Sequence, residues 1–197
     1  MNHPIQCRCG TVKGYVVRPG MAVRAVCYCK DCQAFARYLQ RADTVLDEHG
    51  GTGIVATLPK HAHFTQGVES IACMSLSPKG LLRWYAKCCN TPIANTPRDR
   101  KLPYVGLVDA CLASSSPSLS DTFGPVRAVL NTQSAKGHVS SSAASNLFAI
   151  AVIMKTVLWN RLNGSYRENP FFSITGTPVA KPIQLTKAER EQITDPR

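Results

Sequence analysis

From residue 5 to about 111 the chain alternates short apolar runs with turn residues. Residues 11–17, 23–27, 53–58, 68–76, 81–86 and 104–112 each read as a strand. Pro19-Gly20, Gly50-Gly51, Pro59-Lys60, Pro78-Lys79-Gly80 and Thr96-Pro97 punctuate them as turns. One helix interrupts the pattern over residues 31–40, with Phe35 and Leu39 on one side. The prediction is a mainly β domain of short antiparallel strands over residues 1–111, with a helical C-terminal extension.

After Leu112 the pattern changes. Residues 113–118 and 140–142 are serine-rich and read as exposed connectors, so residues 112–142 are assigned as linker. Residues 143–162 then predict one helix, ended by Asn163-Gly164. Leu147, Ile150, Ala151, Met154 and Leu158 recur at helical spacing, and Phe148, Val152 and Trp159 widen that apolar surface. The apolar stretch 147–159 contains Lys155 and is shorter than the roughly 20 residues a membrane span needs. Packing against the β domain, or a homodimer through this helix, is the expectation. Residues 143–197 form the extension, and its last helix starts at Thr186 with Glu189 at the capping-box position.

Composition adds one unusual fact to this pattern. Among 197 residues, 44% are hydrophobic but only 7% aromatic, which predicts a largely aliphatic core. Nine cysteines, an odd number, stand in a chain whose first residues show no secretory signal. That predicts a cytoplasmic protein holding metal on thiolates, and not a secreted disulfide scaffold. The net charge of +11 includes Arg8, Lys13, Arg18, Arg24, Lys30 and Arg37 against Asp31 alone between Met1 and Gln40. Anionic partners are favoured there: nucleic acid, a carboxylate-bearing small molecule or glutathione.

Seven cysteines fall into three local groups: Cys7 and Cys9, then Cys27, Cys29 and Cys32, then Cys88 and Cys89. Zinc prefers tetrahedral thiolate surroundings, and a local pair presents two ligands at little extra ordering cost. The middle group, C-x-C-x-x-C, can fill three corners of a tetrahedron and leave the fourth for water or a substrate thiolate. Cys7 and Cys9 need partners from elsewhere, and Cys88 is the first candidate. Cys89 joins it if the backbone turns sharply between the two; otherwise one of them points into the core.

Cys7-x-Cys9-Gly10, then Cys27-x-Cys29-x-x-Cys32, then an aromatic strand leading to a late cysteine motif, resembles the glutathione-dependent formaldehyde-activating enzyme and centromere protein V family. The resemblance covers about residues 5–95. It departs at the third motif, where family members carry two cysteines separated by two residues and then glycine. Here Trp84-Tyr85-Ala86-Lys87-Cys88-Cys89 puts Tyr85 at one ligand position and Cys89 at the glycine. The resemblance implies a tent-like zinc-binding β fold, with structural zinc on Cys7, Cys9 and Cys88 and catalytic zinc on Cys27, Cys29 and Cys32. It also implies carbon–sulfur lyase chemistry, in which glutathione adds reversibly to formaldehyde. The alternative is a non-catalytic zinc module that binds a macromolecule or nucleic acid through its basic surface.

Weaker signals have plainer readings. His61 and His63 would share a strand face, where they could add metal ligands but read as an exposed pair beside a turn, and His3, close to Cys7 in sequence, reads the same way. Gly50-Gly51-Thr52-Gly53 lacks the following Gly-Lys-Ser/Thr of a phosphate loop and reads as a hairpin turn. In residues 83–87, alternation puts Trp84 and Ala86 on one face and Arg83, Tyr85 and Lys87 on the other, which reads as a half-buried strand with its cations in water and too small a basic-aromatic surface for nucleic acid. Cys73 and Cys111 sit in apolar runs and read as core, whereas Asp47-Glu48 reads as solvated.

Overall fold

The computed structural model describes residues 2–112 and 117–194; the serine-rich residues 113–116 assigned to the connector lie outside them. Among the described residues the fold is mostly β, with two sheets. The smaller is antiparallel and joins β1 (His3–Gln6), β2 (Lys13–Val16) and β5 (Ala62–Gln66). The larger contains β3 (Val23–Cys27), β4 (Thr52–Thr57), β6 (Ile71–Ser75), β7 (Leu82–Ala86), β8 (Thr91–Thr96), β9 (Val105–Val108), β10 (Val126–Leu130) and β11 (Ile183–Gln184). Its spatial order is β10-β3-β4-β9-β8-β7-β6-β11. The helices are α1 (Lys30–Tyr38), α2 (Ala42–Val45), α3 (Leu119–Phe123), α4 (Ala143–Leu162) and α5 (Lys187–Thr194).

Antiparallel pairing holds from β1 through β9, as expected. The C-terminal third then adds a parallel strand at each edge, β10 beside β3 and β11 beside β6. Residues 112–142 are therefore more than a linker, since α3 and β10 belong to the folded body. Ser140, Ser141 and Ser142 are exposed, as predicted. Other strands were not legible locally. β8 carries Pro92 and Asn95, which read as loop residues, and a bulge at Trp84/Tyr85 accommodates the proline. Two predicted strands are also shortened. Gly67, at φ 68°, opens a 3-10 turn over Val68–Ser70 before β6, and another over Asp109–Cys111 follows β9.

The main core lies between the sheets. Ile5, Val12 and Val16 meet Val55, Trp84 and Leu107 there. Phe171 from the C-terminal region is fully buried, its ring 5.0 Å from that of Trp84. The other face of the large sheet is covered too. Phe35 of α1 and Leu39, which caps its C-terminus, pack with Met74, Tyr85 and Leu185, while Ala149 of α4 packs on Val23, Ala25, Ala56 and Ala128. Because helices cover this second face, Arg83 does not reach water as its alternation suggested: it is only 3% exposed.

Helix ends follow their sequence signals. Ser142 caps α4, accepting from the N–H of Ser145 at 3.3 Å. At α5 the capping box closes reciprocally, with Glu189 Oε2 accepting from the Thr186 N–H at 2.8 Å and Thr186 Oγ1 accepting from the Glu189 N–H at 3.3 Å. α5 docks on α1, where Arg37 Nη1 donates to the carbonyl of Ile193 at 2.9 Å. α4 spans 20 residues and, by length and composition, is long and apolar enough to cross a membrane, whereas the sequence pattern gives an apolar stretch too short for one. In the fold it lies along the β10-β3-β4 end of the large sheet.

Candidate metal centres

The first centre joins two turns that are remote in sequence. After β1, Cys7 and Cys9 occupy a tight turn whose Gly10 has φ 78° and donates its N–H to the Cys7 carbonyl at 2.9 Å. The Val12 N–H donates to Cys7 Sγ at 3.2 Å, orienting that sulfur. Cys88 and Cys89 lie in the hairpin between β7 and β8, where Asn90 takes φ 54°. This sharp turn is what the adjacent cysteines required. All four sulfurs lie within 4.8 Å of one another, so Cys89 joins Cys7, Cys9 and Cys88.

The separations fit a tetrahedral ion. Sulfurs on a tetrahedron with Zn–S bonds of about 2.3 Å stand about 3.8 Å apart. Here Cys7–Cys9 is 3.6 Å, Cys7–Cys88 3.9 Å, Cys9–Cys88 3.3 Å and Cys88–Cys89 3.8 Å. Arg41 Nη2 holds the Cys89 carbonyl at 3.0 Å, and Thr91 Oγ1 lies 3.1 Å from Cys89 Sγ. Thiol basicities diverge within the cluster: hydrogen bonds from Thr11 pull Cys9 down to about 6, whereas desolvation pushes Cys88 up to about 12.

The second centre is built by one strand-to-helix junction. Cys27 ends β3, Cys29 is the N-cap of α1, and Cys32 sits in the first helical turn. The Cys32 N–H donates to Cys29 Sγ at 3.4 Å, and the three sulfurs lie within 4.8 Å of one another. Among the described residues, no fourth cysteine, histidine or carboxylate joins them. The positive end of the α1 dipole favours thiolate here. Hydrogen bonds from the Cys29 and Cys32 thiols drop Cys27 to about 2, and the same bonds raise Cys29 and Cys32.

Polar side chains from distant elements surround this trio. Asn131 Nδ2 donates to Cys27 Sγ at 3.4 Å. The buried Arg83 guanidinium lies 3.8 Å from Cys32 Sγ, donates to Asn95 Oδ1 at 3.1 Å, and faces Asp31 at 4.0 Å. Ile54 packs against Cys27 and Cys32. The loop is fixed from behind: Tyr28 OH donates to Asp47 Oδ2 at 2.9 Å, and Gln33 Nε2 donates to the Tyr28 carbonyl at 2.8 Å. Asp47 is exposed, as read, and also anchors the loop by accepting from the N–H groups of His49 and Gly51.

Other candidates fall elsewhere. Cys73 and Cys111 are core residues, as predicted. His61 and His63 do not form an exposed pair on one strand. His61 closes the 3-10 turn Pro59–His61 and is buried against Thr57 Oγ1 at 3.0 Å, while His63 stacks on Tyr15. His3 Nε2 contacts the Leu112 carbonyl at 3.0 Å. Sequence reasoning missed Asn131 and Asn95 and misplaced Arg83. The available signal was the largely apolar Val126–Leu130 run, which as a strand would have carried Asn131 to the end of β3.

The fold and clusters define a mostly β protein with one four-cysteine and one three-cysteine group, each arranged as a metal centre and compatible with zinc. The chain belongs to DUF6151, a family of unknown function, which matches residues 2–183. A crystal structure of a Rhodobacter sphaeroides protein is similar at 17% identity, covering 65% of this chain and 99% of that one, with a TM-score of 0.41. No curated protein matches the chain.

Proposed function

We propose that the protein carries two zinc ions, and that its three-cysteine centre joins and parts a small thiol and a small aldehyde. Glutathione and formaldehyde are the first pair to consider. The supporting observation is the contrast between the centres: four sulfurs complete one, while Cys27, Cys29 and Cys32 converge with no fourth protein donor among the described residues. Cys27, Cys29 and Cys32 would hold such an ion, which would supply an open position able to keep a substrate sulfur as thiolate.

The reaction is an addition without redox change. The thiol S–H bond breaks, a C–S bond forms at the carbonyl carbon, and the carbonyl oxygen receives the proton to become a hydroxyl. The reverse is the lyase direction. The chain's own residues organise the sulfurs: Arg83 and Asn131 place donors beside Cys32 and Cys27, and the Cys32 N–H holds Cys29. Such outer donors stabilise bound thiolate charge in a desolvated site. Of the cations between Met1 and Gln40, the exposed Lys30 follows Cys29 directly and suits a carboxylate of glutathione, whereas Arg24 is paired with Asp109 and Arg37 bonds the Ile193 carbonyl. A reducing cytoplasm keeps the required thiols free.

Zinc-loaded protein should consume formaldehyde and glutathione faster than buffer, and Cys29→Ser should abolish the difference. Consumption equal to buffer would refute this pair. Two closed zinc sites together with salt-sensitive nucleic-acid binding would instead support the module reading.

A further inference from the structure

We infer that the outer face of α4 is the contact surface of a homodimer, paired antiparallel about a two-fold axis near Ala151 and Met154. The helix is inverted relative to an ordinary surface helix. Its uncharged polar residues turn toward the body or back onto the helix, Asn146 bonding β10 and Asn160 Nδ2 the Thr156 carbonyl, while Lys155 and Arg161 stay exposed. Its large apolar residues turn outward, with Leu147, Phe148, Met154, Leu158, Trp159 and Leu162 all 56% to 74% exposed.

Area argues for a second protein surface. At those exposures the six side chains present roughly 800 Å², about the share each partner contributes to a standard interface. The largest apolar patch on a typical monomer is about 300–600 Å².

Spacing argues that the surface is another α4. Leu147, Ala151, Met154 and Leu158 recur at intervals of four, three and four residues, the repeat of a helix–helix seam. Antiparallel pairing sets the small Ala151 against the partner's Met154, and Leu147 against the partner's Leu158. A two-fold interface requires this kind of self-complementarity. It also offsets the two Lys155 backbone positions by roughly 7.5 Å along the axis, which matters because α4 carries no acidic residue to neutralise them.

The test is sedimentation equilibrium on the full-length, zinc-loaded protein between about 1 and 100 µM, a range that brackets ordinary dimer affinities. The expected result is a concentration-dependent mass approaching twice the 21.4 kDa of one chain. Met154→Glu should return the mass to one chain with circular dichroism and zinc content unchanged, since the side chain is already exposed. Ile174→Glu, at an exposed site outside α4, should leave the dimer intact. A wild-type monomer throughout that range would overturn the proposal, as would a dimer that survives Met154→Glu. Monomeric protein that co-sediments with phosphatidylcholine–phosphatidylserine vesicles would overturn it in favour of a membrane surface.

Discussion

The side-chain amide of Asn146 bonds both backbone groups of Val129: its Oδ1 accepts from the N–H, and its Nδ2 donates to the carbonyl, each at 2.8 Å. Val129 lies on β10, whose one strand neighbour among the described residues is β3. The outer edge of a sheet presents unpaired donors and acceptors that template aggregation. Asn146 supplies the complement of a neighbouring strand residue and so fastens α4 to that edge. Asn146→Ala should cost about 1–3 kcal/mol, because two part-buried backbone groups lose their partners. Urea unfolding of the metal-loaded protein measures it, and turbidity on standing should rise with the exposed edge.

The two centres should separate on chelation. Native mass spectrometry of protein purified without chelator should report two zinc ions, with mild chelation removing the one on Cys27, Cys29 and Cys32 first. An open three-ligand site leaves a chelator a position from which to attack. Cys29→Ser should lose one equivalent and keep the fold.

Cys89→Ser decides whether the adjacent cysteine is a ligand. Removing a direct ligand costs more than the roughly 10–100-fold typical of an outer-shell partner. Zinc affinity of the four-cysteine centre should therefore fall by more than about 100-fold, with a lower melting temperature, because structural metal binding is coupled to folding. Unchanged stoichiometry and melting would show that three sulfurs suffice.

Arg83 should matter to one centre only. Its guanidinium, at 3.8 Å from Cys32 Sγ, is a buried cation beside a thiolate cluster. Arg83→Met should weaken zinc binding there by about 10–100-fold and leave the four-cysteine centre unchanged. Competition with a chromophoric chelator resolves the two affinities.

His61 gives stability a pH dependence of its own. Burial, reinforced by the charges of Lys60 and Arg18, pushes its ring down to about 4 from an ordinary value of 6.5. Between those values the unfolded chain binds a proton that the folded chain refuses. The contribution is therefore complete above pH 6.5 and is lost as pH falls toward 4, by up to about 3 kcal/mol. His61→Asn, which keeps a polar atom for Thr57, should flatten this part of the profile. Comparing urea midpoints of the two proteins at pH 7.5 and pH 5 isolates it from acid loss of metal, which both share.

Local order was legible wherever one segment contains its own reason. β3 begins and ends where its apolar run does, at Val23 and Cys27, and α4 runs from Ala143 to Leu162 between its serine cap and Asn163-Gly164. The Thr186–Glu189 box needs only four residues. The Cys27, Cys29 and Cys32 trio is likewise local, because one strand-to-helix turn brings its sulfurs together.

Tertiary structure decided whatever depends on which surfaces meet. Cys88 and Cys89 both reach Cys7 and Cys9 because the β7–β8 hairpin is laid beside the turn after β1, a juxtaposition no local spacing encodes. Arg83 sits on the face its alternation assigned, yet that face is covered by α1, so its charge lies beside Cys32 and not in water. Val126–Leu130 became an edge strand because β3 offered it an unpaired side, and only that pairing carried Asn131 to Cys27. The sequence by itself determined the elements whose apolar run or cap is local, and the cysteine groups that could hold metal. Hydrophobic periodicity reports which sides of an element are apolar, but the partner that buries each side, and the residues delivered to the three-cysteine centre, are set only when distant segments pack.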